Sequence, residues 1–408
     1  MMEPTVRFPE FKDSWNNYKI EDMFDRVGTP VDLDDTQTYR EIGIRSHGKG
    51  IFHKEETTAT EIGNKRVFWV EPDRFVVNIV FAWERAVAKT TEKENGMIAS
   101  HRFPMYKPKK NIVDLDYITE YFITKRGQNV LILASPGGAG RNKTLGQKEF
   151  AKSVVKLPSL PEQQKIAEFL STVDTVIEKK KETVSAWEER KKGVMQKLFS
   201  QEVRFKADDG SDFPEWEEKI LDEEGFFYGG LTGKNKDDFE KGSSKFITYM
   251  NVYKNTFANQ DMMGTVNVGI TEKQNKVLYG DILFTQSSET VEEVGLSSVY
   301  LYDDEPYLNS FCMGFRFNDL SNVCPKYMGY CMRSENIRKN IMLMGQGISR
   351  INLGAKRLKT VSYKIPCLEE QQKIADCLSS LDEVIEKQKA TLAAWEELKK
   401  GLLQQMFV

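Results

Sequence analysis

A stretch of about 40 residues occurs twice in this chain of 408 residues, and the repeat constrains the fold more than any other feature. Pro158-Ser-Leu-Pro-Glu-Gln-Gln-Lys-Ile-Ala167 returns as Pro366-Cys-Leu-Glu-Glu-Gln-Gln-Lys-Ile-Ala375, and the match continues without a gap to Phe199 and Phe407. About 26 aligned positions are identical. Self-similarity of this kind indicates that one structural unit is used twice.

The segments between the two copies differ almost completely in sequence, although short matches persist. Leu145-Gly146 matches Leu353-Gly354, and Phe8-Pro9-Glu10 is similar to Phe213-Pro214-Glu215. We also expect Asn78–Phe81 and Asp281–Phe284 to be equivalent strands. Because 408 residues exceed what one core usually contains, several domains are expected. The predicted division is a variable module at 1–156, a constant segment at 157–204, a second variable module at 205–364 and a second constant segment at 365–408.

The constant segments have the pattern of long helices that pair. Their apolar residues follow a spacing of four and three residues for more than four heptads, which predicts a coiled coil. Neither helix can bury such a stripe alone, so the other copy is the expected partner. A helix of this length is a rod of about 50 Å, suited to act as a spacer. The predicted seam residues are Ile166, Leu170, Val173, Ile177, Val184, Trp187, Ile374, Leu378, Leu381, Ile385, Leu392 and Trp395.

Polar residues interrupt each seam at the same two places, Lys180 and Lys191 in one copy and Gln388 and Lys399 in the other. A polar seam residue can fix the register of a coiled coil at the expense of stability. Alternatively, the long lysine stems extend out of the seam into water. The sequence favours neither interpretation.

The variable modules have mixed α and β character. Short apolar or alternating runs predict strands, and two longer amphipathic runs predict helices at Asp116–Thr124 and Pro325–Met342. The predicted strands are Val67–Val70, Phe75–Phe81, Val130–Leu133, Lys245–Tyr249, Asp281–Phe284 and Leu296–Leu301.

The charge of the chain is unusual for a protein that binds DNA alone. The net charge is -3, whereas such proteins are usually basic. The two modules differ, because residues 1–156 carry +3 and residues 205–364 carry -4. A second subunit that neutralises phosphates would allow the acidic module to take part in DNA binding.

Other compositional features indicate a cytoplasmic protein without a cofactor. No apolar run is long enough to span a bilayer, and Met1–Glu10 lacks the layout of a signal peptide. The five cysteines have no metal-binding or redox spacing, so we expect buried, reduced thiols. The three histidines are too scattered to predict a metal site.

The repeated Pro-x-Leu-x-Glu-Gln-Gln-Lys-Ile-Ala opening, the long helix after it and the two dissimilar modules resemble the DNA-specificity subunits of type I restriction-modification systems. The resemblance covers the whole length. Tyr39–Phe52, Ala82–Glu84 with Ser100–Phe103, Tyr279–Ser287 and Gly345–Leu353 are similar to segments of the recognition modules in that family.

The resemblance implies an α+β protein in which two target recognition domains are separated and joined by two helices that form an antiparallel coiled coil. Each domain would recognise one half of an asymmetric, two-part site in double-stranded DNA. The coiled coil would set the spacing and dock modification subunits, two of them by the helix symmetry, and restriction subunits would join the full complex. The specificity subunit itself would not be catalytic.

Base and phosphate contacts need basic or amide and hydroxyl side chains on loops that reach the groove. For the first module we predict DNA contacts by Arg45, Lys49, Lys54, Arg102, Lys107, Lys109, Lys110, Arg141, Asn142 and Lys143. For the second we predict Lys245, Asn251, Tyr253, Lys254, Gln286, Ser287, Ser288, Gln346, Ser349 and Arg350.

Two other classes of function are compatible with parts of the sequence. Val130–Thr144 resembles a strand entering a phosphate-binding loop, but Asn142 replaces the second glycine that the loop requires. The acidic second module is compatible with a protein-binding coiled-coil scaffold. No methyltransferase or nuclease motif is complete, so the sequence predicts a binding protein.

Overall fold

A computed structural model describes residues 4–137, 143–240 and 242–407. The chain forms two compact units. Unit 1 combines residues up to Glu182 with those from Ala390 onward, and unit 2 consists of Thr183–Lys389. The helix Leu160–Phe199 thus begins in unit 1 and ends in unit 2, and the helix Leu368–Met406 does the reverse.

Unit 1 contains a four-stranded antiparallel sheet and a five-stranded mixed sheet. The strands are β1 Asn16–Lys19, β2 Phe24–Val27, β3 Thr29–Pro30, β4 Thr38–Ile44, β5 Ile51–Thr58, β6 Val67–Trp69, β7 Phe75–Val77, β8 Val87–Lys89, β9 Ile98–Ser100, β10 Met105–Pro108 and β11 Val154–Leu157. The helices are α1 Ile20–Met23, α2 Ala59–Ile62, α3 Leu115–Ile123, α4 Lys125–Leu133, α5 Gln147–Lys152 and the start of α6 Leu160–Phe199. The first sheet has the order β2-β10-β7-β8, the second has the order β3-β6-β9-β4-β5, and β1 pairs with β11.

Unit 2 contains the same four-stranded sheet with a smaller second sheet. The strands are β12 Glu217–Ile220, β13 Gly225–Gly229, β14 Ser244–Ile247, β15 Met263–Val266, β16 Ile282–Thr285, β17 Ser287–Ser288, β18 Ser297–Val299, β19 Tyr307–Leu308, β20 Cys312–Phe317, β21 Ile351–Asn352 and β22 Ser362–Ile365. The helices are α7 Leu221–Glu224, α8 Lys236–Glu240, α9 Tyr249–Lys254, α10 Pro325–Met332, α11 Glu335–Leu343, α12 Ala355–Leu358 and the start of α13 Leu368–Met406. The orders are β13-β20-β16-β18 and β15-β14-β19, and the pairs are β12-β22 and β17-β21.

The four-stranded sheets correspond strand by strand, and the correspondence corrects one prediction. The central strands β7 and β16 begin at Phe75 and Ile282, so pairing Asn78–Phe81 with Asp281–Phe284 is wrong by several residues. The chain turns at Asn78, whose Oδ1 accepts a hydrogen bond from the Val80 N–H at 3.1 Å. This turn ends β7 before the residues that were expected to form the strand.

Helix caps explain the other secondary-structure predictions that are wrong. Val130–Leu133 lies in α4, which begins where the Thr124 hydroxyl accepts from the Gly127 N–H. In the same way Thr248 caps α9 and ends the strand predicted at Lys245–Tyr249. The helix predicted at Pro325–Met342 is interrupted between α10 and α11. Because a phosphate-binding loop follows a strand, the helical conformation of Val130–Leu133 also argues against that interpretation.

The core of unit 1 includes both ends of the long helices. Ile166 and Leu170, near the start of α6, are buried with Met406 and Phe407 at the end of α13. The ring of Phe407 lies 5.0 Å from that of Tyr117 in α3. The variable module therefore shares one apolar core with the long helices.

Unit 2 repeats this arrangement with the roles of the helices exchanged. Ile374 and Leu378, near the start of α13, are buried with Leu198 at the end of α6. The Phe199 ring lies 5.7 Å from that of Tyr327 in α10. In each unit the beginning of one helix packs with the end of the other, so the helix segments are antiparallel.

Two seam lysines bind carboxylates on the opposite helix. In unit 1 the Lys399 ammonium lies 2.8 Å from the Asp174 carboxylate, and in unit 2 Lys191 lies 2.6 Å from Asp382. In an antiparallel helix pair, the residue numbers of facing positions have a constant sum. The two ion pairs have the same sum, so the helices are paired in the same register in both units. At these positions the lysines form interhelical ion pairs, which agrees with the register interpretation and not with extension into water.

Eight of the predicted seam residues are buried, and four are partly buried. The buried members are Ile166, Leu170, Val173, Ile177, Val184, Ile374, Leu378 and Ile385. The partly buried members are Trp187, Leu381, Leu392 and Trp395. The predicted seam is therefore at least partly buried along its whole length.

The Glu-Gln-Gln motif at the start of each long helix attaches the module to the helix. The Gln163 side chain accepts from the Asp114 N–H at 3.0 Å and donates to the carbonyls of Ile112 and Pro158. Gln371 makes the same three types of bond, to the Cys324 N–H and to the carbonyls of Asn322 and Pro366. Asp114 and Cys324 are the N-cap residues of α3 and α10.

The neighbouring glutamates are also buried and paired. Glu162 binds Arg7 at 2.7 Å, and Glu370 binds Arg204 at 2.9 Å. Glu370 also accepts from the indole N–H of Trp216. A buried carboxylate is stable only with such partners, which explains why the motif recurs although the modules differ.

Candidate nucleic-acid interface

The predicted DNA-contacting residues that come together do so at the end of the central strand of each unit. In unit 1 the Leu145 N–H donates to the Ile79 carbonyl, and the Ile79 N–H donates to the Arg102 carbonyl. In unit 2 the Leu353 N–H donates to the Gln286 carbonyl, and the Gln286 N–H donates to the Phe311 carbonyl. The same three segments therefore meet in both units, and Ile79 corresponds to Gln286.

In unit 1 this region contains a groove of about 480 Å³ with basic and aromatic walls. Lys54, Lys65 and Arg102 contribute the cations, and Phe81 and Phe103 contribute the rings. The Lys54 ammonium is held at 2.6 Å by Glu41, which leaves its charge largely compensated.

The turn beside the groove is held by polar contacts to the backbone. The Trp83 indole donates to the Val80 carbonyl at 3.2 Å, and the Gln128 amide donates to the Trp83 carbonyl at 3.0 Å. Arg85 ends the turn in the left-handed conformation, with φ of 61°. Lys143 follows the glycine-rich segment in the chain, and its ammonium lies 5.9 Å from the centre of the Trp83 ring.

Other predicted contacts of the first module lie outside this groove. Arg45 and Lys49 belong to the β4–β5 turn, where Arg45 stacks over Phe52 at 4.8 Å. Lys107, Lys109 and Lys110 lie on and after β10, and Lys109 donates to the Glu21 carbonyl at 3.1 Å. Arg141 and Asn142 lie outside the described residues.

In unit 2 a small antiparallel pair joins two of the predicted segments. Ser287 pairs with Asn352, and Ser288 pairs with Ile351. Gln346 and Asn352 exchange two backbone hydrogen bonds, of 3.0 and 2.7 Å. The loop between them is exposed and carries Gln346, Ser349 and Arg350, with Ile348 fully exposed at its tip.

Two tyrosines of α9 flank this pair. Tyr249 and Tyr253 stack with ring centres 6.1 Å apart. The Tyr249 hydroxyl donates to the Ser287 carbonyl at 2.6 Å, and the Tyr253 hydroxyl donates to Glu293 at 2.5 Å. The hydrogen bond to the Glu293 carboxylate raises the pKa of Tyr253. Lys254, on the same helix, is exposed.

Two predictions for the second module need correction, and a third residue, Lys245, lies away from the cluster. Asn251 is fully buried, and its side-chain amide is bound to Asn255 and to the backbone of Asn259, so it faces the interior. Ser288 is also buried, and its hydroxyl donates to the Thr290 carbonyl at 2.6 Å. Lys245 is exposed on β14, in the other sheet, and is not part of this cluster.

Two arginines of unit 2 stabilise the backbone behind the cluster. Arg333 donates to the carbonyls of four residues, among them Ser297 and Asn255, and Arg338 donates to those of Glu292, Val294 and Gly295. Burial lowers the pKa of both guanidinium groups to about 10.

Four further residues belong to the two sites although they were not among the predicted DNA contacts. Lys65 and His101 line the groove of unit 1, while the exposed Phe311 and Ile348 belong to the site of unit 2. The backbone hydrogen bonds place Phe311 opposite Arg102, whereas an alignment of the central strands at Phe75 and Ile282 would have paired Arg102 with Asn309.

Comparison with known proteins decides the family. The profile described as "Type I restriction modification DNA specificity domain" matches residues 12–185 and again residues 215–394. The chain belongs to this family. Two such domains in one chain are the organisation of a type I specificity subunit.

Individual relatives are distant but cover most of the chain. The type I restriction enzyme MjaVIII specificity subunit of Methanocaldococcus jannaschii is 23% identical over 354 residues, which are 84% of this chain and 80% of that protein. The type I restriction-modification system S subunit from M. genitalium has a TM-score of 0.54 at 15% identity, over 100% of this chain and 99% of that one. A chain from a structure of the type I R-M system, described by its assembly and conformational transition, has a TM-score of 0.60 at 15% identity over 98% of both chains. These two similarities show a common fold.

Two kinds of site are absent from the described part of the chain. Across residues 4–137, 143–240 and 242–407 no group of three or more His, Cys, Asp or Glu side chains is placed to hold a metal ion. Within the same ranges no helix is long and apolar enough to cross a membrane.

Proposed function

We propose that this specificity subunit recognises an asymmetric, two-part DNA site, with unit 1 binding one half and unit 2 the other. One observation carries the proposal: the same three segments meet at the end of the central strand in both units, but their side chains differ. A common scaffold with different polar side chains is what recognition of two different base sequences requires.

We propose residues 1–156 and 205–364 as the recognition domains and residues 157–204 and 365–408 as the helices that set the distance between half-sites. The repeat of the Glu-Gln-Gln motif and of the ion pairs supports equivalent docking of two modification subunits. Restriction subunits would complete the complex. Methyl transfer and cleavage would belong to these cytoplasmic partners, and this chain would supply sequence recognition without a cofactor.

Selection from random DNA duplexes tests this proposal. The chain would be co-expressed with its modification subunit, and bound duplexes would be sequenced. We expect two short, different base blocks at a fixed separation. A well-folded complex that enriches no motif would contradict the proposal and would favour the alternative, a protein-binding coiled-coil scaffold.

A further inference from the structure

We infer that the two units hold their half-sites by different chemistry: unit 1 adds strong contacts to backbone phosphates, whereas unit 2 recognises its bases with little phosphate contact. This inference rests on the proposed function. It assigns separate roles to the two sites, which their similar fold does not require.

The site of unit 1 is suited to phosphates because it concentrates exposed positive charge. Lys65 and Arg102 line the groove of about 480 Å³, and both are exposed. Lys54 is held by Glu41 and adds less charge. Lys143 lies at the turn beside the groove, with its ammonium 5.9 Å from the centre of the Trp83 ring. Lysine and arginine contacts to phosphate supply affinity that does not depend on sequence.

The site of unit 2 presents mostly neutral polar groups. Gln346 and Ser349 are exposed on the loop that follows α11, and the β17–β21 pair holds this loop beside Ser287. Amide and hydroxyl groups form hydrogen bonds to base edges. Arg350 is exposed on the same loop, and an arginine is the usual partner of guanine in the major groove.

Acidic residues beside this site would weaken phosphate contacts. Glu289 and Glu292 are exposed in the segment between β17 and β18. The nearby arginines cannot compensate, since the Arg338 guanidinium is committed to backbone carbonyls, including that of Glu292. Glu289 and Glu292 thus place two negative charges of this acidic module beside the candidate site.

One matched position shows the difference directly. The Arg102 carbonyl accepts from Ile79 in unit 1, and the Phe311 carbonyl accepts from Gln286 in unit 2. Phe311 is 57% exposed, so an arginine would fit there without displacing the core. The same place in the fold thus carries a cation in one unit and an aromatic ring in the other.

The salt dependence of DNA binding by the complex with modification subunits tests the inference. The ligand would be the duplex obtained by selection. The logarithm of the association constant would be plotted against the logarithm of the salt concentration, and the slope would be compared between variants. Each lost phosphate contact reduces the slope by about 0.9. We expect the double variant Lys65→Gln/Arg102→Gln to have a slope shallower by about 1.8, with its base preference retained.

Variants of unit 2 should behave in the opposite way. Gln346→Ala/Ser349→Ala should leave the slope unchanged and relax the preference for one half-site. Phe311→Arg should add a phosphate contact and make the slope steeper by about 0.9. Lys12→Gln, at an exposed lysine that lines no part of the groove, is the matched control and should match the wild type.

The outcomes separate this inference from the proposed function. If the wild-type complex selects no two-part site, the proposed function fails. If it selects one but the unit 1 variant keeps the wild-type slope, or the unit 2 variant changes the slope equally, the division between phosphate and base contacts is wrong.

Discussion

Gln163 and Gln371 explain why the Glu-Gln-Gln motif is identical in both copies of the repeat. Each is buried at the start of a long helix, caps the first helix of a helix pair in its module and binds two further carbonyls. Glutamine provides one acceptor and two donors in this geometry. The identity of the motif in both copies follows from this use of every polar atom.

Replacing Gln163 by alanine should destabilise the chain by about 2–3 kcal/mol, because buried backbone groups lose their partners. Urea unfolding followed by circular dichroism measures the loss. Gln164→Ala is the matched control, since Gln164 is exposed on the same turn, and it should have little effect. Equal stability of the two variants would contradict the attachment role.

We predict that Glu120, in unit 1, makes the folding stability depend on pH. Burial raises its pKa, which Lys399 partly opposes, whereas Asp174 raises it further. Because the charged form is disfavoured in the folded state, this group lowers stability as pH rises above the ordinary glutamate pKa. Glu120→Gln should therefore be more stable than the wild type at pH 7, with the difference diminishing towards pH 4.

Thermal unfolding at several pH values measures this effect. Glu61→Gln serves as a comparison, because hydrogen bonds from Thr58 and Thr57 lower the Glu61 pKa, so its loss should be unfavourable at pH 7. A Glu120→Gln variant less stable than the wild type at pH 7 would show that the ion pair with Lys399 outweighs the burial.

At the scale of elements, the end of each long helix packs in the unit in which the other long helix begins. Phe407 completes the core of unit 1 and packs on Tyr117, and its counterpart Phe199 packs on Tyr327 in unit 2. Phe407→Ala should destabilise by about 3–5 kcal/mol and reduce amide-exchange protection in unit 1. Phe199→Ala should reduce protection in unit 2. Loss of protection in the opposite unit would contradict this packing.

The sequence predicted the two long helices better than the elements of the modules. The long helices lie close to their predicted positions because a sustained heptad pattern indicates a helix, whereas the helix predicted at Pro325–Met342 is interrupted. Val130–Leu133 has four apolar residues and was expected to be a strand, but Leu131 is buried while Leu133 is 82% exposed at the end of α4. A short apolar run cannot distinguish a strand from a helix.

The sequence predicted the kinds of side chain at the candidate site better than it predicted which residues lie there. Gln346, Ser349 and Arg350 could be chosen because they are polar or basic residues in an expected loop. Asn251 was chosen by the same criterion, yet it binds Asn255 and Asn259 in the interior. Residue type alone does not distinguish a side chain that stabilises a turn from one that faces a ligand.

At the scale of the whole molecule, the repeat predicted two modules but not the composition of the units. Each unit takes the beginning of one helix and the end of the other. This follows from the antiparallel ion pairs Lys399–Asp174 and Lys191–Asp382, which the sequence contains as polar interruptions of the seam. A tertiary pairing was needed to recognise their partners.

Replacing residues 205–364 by the corresponding module of another specificity subunit tests the central claim most directly. The long helices and their ion pairs remain in this chimaera, and the complex with modification subunits would be used for selection from random duplexes. We expect one base block to change while the other block and the separation stay the same. A change in both blocks, or in neither, would contradict recognition of one half-site by each unit.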